Sequence, residues 1–171
     1  VRYPGGFTAV LRKKKVPAEA PTTDDAQKSG KKKFKCPRAG GIVPDLNRRV
    51  VAFAINNLGR QVGNGECWTL AADALKYAGA QPPRRYVFGK VIPLEQATPG
   101  YILQFTKARF ETPTHWKVLG LPNHTAILYS TMGNKTFILH QNFGSKKVTT
   151  LDLDFRNQVS GTVVVYRPIP Q

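Results

Sequence analysis

Cys67 follows a glycine-bearing loop, Val62-Gly63-Asn64-Gly65-Glu66, and opens a segment patterned as a helix to about Tyr77. A thiol at a helix start lies in the positive end of the helix dipole, where free N–H groups favour the nucleophilic thiolate. Gly65, just ahead of it, lets a substrate approach the backbone closely. A nucleophilic thiol needs a base, and His124 stands at the head of a strand-like run, Thr125-Ala126-Ile127-Leu128-Tyr129. Imidazole has the pKa to take a thiol proton and return it to a leaving amine. The base in turn needs an orienting group. His140 ends the strand-like Thr136-Phe137-Ile138-Leu139, and the turn at Gly133 predicts a hairpin that sets this strand beside that of His124. Gln141 and Asn142 are rivals for the orienting role, Asn142 as the alternative third residue on the face of His140. Gln61, six residues before Cys67, is placed to donate to an oxyanion beside the Cys67 N–H. Trp68 reads as core packing or as a shield and substrate contact beside the histidines.

Two helices and a series of strands must position these groups. Pro44-Asp45 offers a helix start and Gly59 a stop, with Leu46, Val50, Phe53, Ala54 and Leu58 on one face. The Cys67 helix presents Trp68, Ala71, Ala72, Leu75 and Tyr77 as its apolar face, then meets Gly79 and Pro82-Pro83. Strands are predicted at 86–91, 101–106, 115–119, 124–130, 136–141, 147–151 and 162–166, from Val/Ile/Tyr/Phe-rich runs between turns. Helices followed by antiparallel strands make an α+β domain, two N-terminal helices on a sheet of about five to six strands.

The 171 residues fit one domain, 42–171, preceded by a basic, irregular arm, 1–41. The formal charge is +16. The arm carries 11 Lys and Arg against 3 acids, half of that excess in under a quarter of the chain. Lys13-Lys14-Lys15 and Lys31-Lys32-Lys33 are separated by Pro17 and Pro21, and Tyr3, Phe7, Val10 and Leu11 are placed to dock a short strand. This balance fits an anionic partner through the arm, whether nucleic acid, acidic membrane or cell wall, or a solubilising tail. Arg84, Arg85, Lys107, Arg109, Lys146 and Lys147 could add a basic rim.

No apolar run is long enough to span a membrane. The chain begins at Val1, as expected of a processed or excised chain whose signal segment, if any, is absent. With two Cys, the one possible bridge is Cys36–Cys67, which would silence the thiol. No CxxC, HExxH, GxGxxG or Walker pattern occurs, so no metal or cofactor is expected. Asp152 and Asp154, two residues apart with no His nearby, give only a weak metal signal. A monomer is expected.

The run Gln61-Val-Gly-Asn-Gly-Glu-Cys-Trp68 resembles the papain-like pattern of an oxyanion Gln ahead of a Cys-Trp pair. Pro99-Gly100-Tyr101, His124-Thr-Ala-Ile-Leu and Phe137-Ile-Leu-His140 are similar to the Pro-Gly strand entry, base strand and third-residue strand of the CHAP-type branch. The chain also resembles the cysteine-proteinase-like domain of fungal actin-patch SH3 proteins. The resemblance covers about 45–168 and implies Cys67 as nucleophile, His124 as base, His140 as orienting residue and Gln61 as oxyanion donor. It implies a thiol hydrolase of peptide or amide bonds. Glu66 departs from the small residue usual before the Cys, where it would raise the thiol pKa or occupy a subsite. His140 departs from the papain Asn, and no propeptide is recognisable in the arm. Two alternatives stand beside the hydrolase: a basic cytotoxic, antimicrobial or nucleic-acid-binding module with an idle thiol, and a ribonuclease using His124 and His140.

Overall fold

Asp45–Asn56 forms helix α1 and Cys67–Ala78 helix α2. In the first turn of α1, Asp45 pairs with Arg48 and Arg49 rather than capping with its side chain. This helix closes at Asn57, short of Gly59. The second closes where the sequence predicts, on Gly79 in the left-handed conformation (φ 77°). The computed structural model describes residues 44–171 and the backbone of residues 12 and 13. Tyr3, Phe7, Val10, Leu11, Cys36 and the two lysine runs, except the backbone of Lys13, lie outside the described residues.

The helices cover one antiparallel sheet. Its strands are β1 (Arg12–Lys13), β2 (Lys90–Ile92), β3 (Ile102–Glu111), β4 (His115–Met132), β5 (Lys135–His140), β6 (Thr149–Leu153) and β7 (Gln158–Arg167). Six of them run in the order β2-β7-β3-β4-β5-β6, and β1 adds to the start of β4 at Trp116 and His115. The architecture is therefore α+β, with two helices on a six-strand path.

Side-chain alternation divides the core between the two faces of this sheet. On the helix side, Ile102, Ile127 and Leu139 meet Val50, Ala54, Leu70 and Leu75. On the opposite side, Leu103, Phe105, Ala126, Leu128 and Ile138 pack with Phe110 and Phe155.

The core face of α2 is Leu70, Ala71, Ala74, Leu75 and Ala78, while Tyr77 is 59% exposed against Phe53. The predicted strands at 115–119 and 124–130 are one strand, because the intervening Gly120-Leu121-Pro122 is absorbed as an irregularity. Leu119 pairs with Ala108 and Asn123 with Thr106, so only Lys107 of β3 faces those three residues. Gly120 permits this (φ 83°), since a Cβ there would stand 2.5 Å from the Phe105 carbonyl oxygen.

Candidate active site at the start of α2

A cavity of about 240 Å³ lies where the start of α2 meets the irregularity of β4. Cys67, Glu66, Asn64 and Trp68 form one wall, Leu121, Pro122, Asn123 and His124 another, and Tyr86 and Asn142 complete it. Cys67 is a buried free thiol, and its bridge to Cys36 falls on a residue outside the description.

His124 and His140 meet as predicted from the hairpin. His124 Nε2 lies 3.2 Å from His140 Nδ1, with the rings nearly perpendicular and Phe143 packed against both. Thr149 Oγ1 stands 3.4 Å from the far nitrogen of His140. Burial, then the neighbouring His140, pushes the His124 pKa down to about 3. Burial, then the Lys117 ammonium, pushes His140 down to about 4. Both rings are neutral at physiological pH.

The thiol contacts a different part of β4. Thr125, through its backbone and side chain, and the Trp68 backbone are the polar groups that act on the thiol and favour its ionised form, and His124 is not among them. Strand alternation explains this. Thr125 pairs across β3 with Gln104 on the face of Ile127, toward α2, and donates to Gln104 Oε1 at 2.7 Å. His124 pairs with Phe105 on the other face and reaches the cavity from there.

The expected helix-start activation is also outweighed. Burial is the largest effect and raises the thiol pKa above its ordinary 9.0; Thr125 and Trp68 pull it down, and the Glu66 carboxylate pushes it further up. The effect of Glu66 is the one its position ahead of Cys67 predicts.

The remaining site residues have specific tasks. Gln61 is exposed and donates to the Gly63 carbonyl at 3.2 Å, so its amide is outside the cavity. Asn142 does not continue the face of His140, because β5 ends there and Asn142 turns at φ 64°. Its amide donates to Glu66 Oε2 at 2.7 Å. Gln141 is fully buried and clamps the loop ahead of Cys67: it accepts from the Val62 N–H and donates to the carbonyls of Val62 and Glu66. Gly65 is buried beneath Lys146, and Trp68 donates its indole N–H to the Arg85 carbonyl while facing the cavity.

The family model described as the AIM3/BBC1 cysteine proteinase-fold domain matches residues 45–171. The chain belongs to this family.

The AIM3/BBC1 match takes in both helices, the six-strand path and every residue of the cavity wall. A curated relative, Altered inheritance of mitochondria protein 3 of Debaryomyces hansenii, is 32% identical over 163 residues, an alignment taking in 80% of this chain. The chain spans 18% of that relative's length. Among solved structures, the crystal structure of Ly7917 with the hydrolyzing product of MDP is similar at a TM-score of 0.47 and 18% identity, over 71% of this chain and 62% of that one.

Thr125 is the contributor that residue-type reasoning passed over, and Gln141, a rival for the orienting role, holds the loop ahead of Cys67 instead. Thr125 follows His124 directly, so alternation alone turns it toward the helix. The three bonds of Gln141 depend on the distance between β5 and the 62–66 loop, which no spacing in the sequence encodes.

Among the described residues no three His, Cys, Asp or Glu side chains are grouped to hold a metal. Asp152 is paired with Lys135 and Asp154 with Arg156. No described helix is long and apolar enough to cross a membrane.

Proposed function

We propose that the domain is a thiol hydrolase of peptide or amide bonds, with Cys67 as nucleophile, His124 as base and His140 as the residue that orients it. The observation that carries this reading is that Cys67 and His124 wall one cavity while the inner nitrogen of His124 is held by His140. A proton on His124 Nε2, donated to His140 Nδ1, leaves His124 Nδ1 as the basic nitrogen.

The resting pair is neutral, so the proton leaves sulfur as the C–S bond forms. The Cys67 sulfur, turned from Thr125 toward His124, attacks the carbonyl carbon and passes its proton to the ring. The ring then protonates the departing amine, leaving a thioester, which water cleaves with His124 again accepting the proton. The N–H groups of Cys67 and Trp68 at the helix start are the backbone donors for the oxyanion. Gln61 joins them once it releases the Gly63 carbonyl.

The test is turnover of a mixed library of peptides, isopeptides and cell-wall amides, followed by mass spectrometry. Loss of cleavage in both Cys67→Ala and His124→Ala supports the reading. Absence of cleavage by the wild type, with no thioester trapped at Cys67, refutes it.

A second reading, a binding module with an idle thiol, is favoured by the raised thiol, the depressed imidazole and the missing bond between them. Ligand binding without turnover, undiminished in Cys67→Ala, selects it. The anionic partner of the basic arm belongs to either reading, and salt-sensitive binding to a polyanion checks it.

A further inference from the structure

The chain carries +16, yet the walls of the cavity at Cys67 contain no Lys or Arg, and Glu66 is their sole charged side chain apart from the titratable Cys67 and His124. Asn142 fixes this carboxylate through Oε2 at 2.7 Å, a neutral donor that leaves its charge in place. No ion pair joins Glu66 to another described residue; the stem of Lys146 packs over Gly65 outside the cavity wall. Trp68 and Tyr86 also line this cavity.

A fixed carboxylate in a cavity that aromatic side chains also line is complementary to an ammonium or guanidinium group. Exposed positive charge more than about 8 Å away is largely screened at physiological ionic strength. A half-buried carboxylate also rejects an anion at the same point through like-charge repulsion.

We propose that this cavity selects a cationic residue next to the bond presented to Cys67, with Glu66 as its anionic partner and Trp68 and Tyr86 as its walls. The inference rests on the hydrolase reading for the word substrate, while the binding preference stands on the charge and shape of the cavity alone. Glu66 is thereby a specificity residue, in the position where the papain pattern has a small side chain.

The experiment uses the full chain carrying Cys67→Ser, so that nothing turns over. Nα-acetyl-arginine amide, Nα-acetyl-norleucine amide and Nα-acetyl-glutamate amide are titrated while the Trp68 indole N–H is followed by NMR. The expected result is at least tenfold tighter binding of the arginine amide than of the norleucine amide, with the glutamate amide weakest. Glu66→Gln, with its fold checked by circular dichroism, is expected to abolish the preference, and 0.5 M salt to reduce it. Equal affinities, a preference that survives Glu66→Gln, or no binding of the arginine amide overturns the proposal. Wild-type turnover of the matching peptides is measured in parallel. A cationic preference without turnover sinks the hydrolase reading alone, and turnover indifferent to charge sinks this inference alone.

Discussion

Two neighbouring residues of β4 decide the chemistry available to Cys67: Thr125 holds the sulfur, and His124 approaches from the other face of the strand. The buried thiol lies above the ordinary 9.0, so alkylation of Cys67 by iodoacetamide is expected to be slow near neutrality and still rising past pH 9. Glu66→Gln removes a charge that raises the thiol, so its alkylation midpoint moves down. Mass spectrometry across pH checks both, and selective modification well below pH 8 in the wild type contradicts the geometry. The histidine pair sets a stability signature of definite sign. Folding lowers the pKa of His124 from 6.5 to about 3 and of His140 to about 4. Below about 6.5 the unfolded chain therefore binds protons that the folded rings refuse, and stability present above that pH is lost as pH falls toward 3. Thermal melts from pH 7 to pH 4 should show a falling Tm, with a shallower fall in His124→Gln.

At the scale of elements, the site depends on how the 62–66 loop is fastened to the end of β5. Gln141 supplies three hydrogen bonds across that gap with its side chain fully buried. Gln141→Ala leaves the buried Val62 N–H without a partner, while the Val62 and Glu66 carbonyls keep backbone donors, a cost of about 1–3 kcal/mol. It should lower the midpoint of denaturant unfolding and speed alkylation of Cys67 under native conditions, whereas equal rates in the two proteins would show that the loop needs no clamp. The irregularity at Gly120 is the second fastening, since it carries Leu121 and Pro122 into the cavity wall and delivers His124 behind them. Gly120→Ala places a methyl 2.5 Å from a backbone oxygen at positive φ and is expected to destabilise the domain and open this wall.

For the whole molecule, the sheet has a core on each face, and α2 joins the cavity at Cys67 to the helix-side core. Leu70, 1% exposed, lies one turn along from Cys67 among Ile127, Leu139 and other buried side chains. Leu70→Ala should cost about 2–5 kcal/mol, read by chemical denaturation. A loss well under 1 kcal/mol would mean that α2 is not anchored through this contact.

The elements were largely legible, because apolar periodicity and turn residues are local: the start of α2 at Cys67, its stop at Gly79 and the hairpin joining β4 to β5 all read directly from the chain. The pairing of His124 with His140 was legible for the same reason, as one short turn connects their strands. Asn142 misled because its alternation was counted past the last residue of β5. By itself the sequence determined the set of reactive groups, the order of the elements and the charge ahead of Cys67. Only the tertiary structure decided that the sulfur rests on Thr125, that Gln61 faces away and that Gln141 holds the loop. Those outcomes depend on how far burial outweighs a helix dipole and on which side chains of distant segments come within hydrogen-bonding reach, and both arise only when the helix is laid on the sheet.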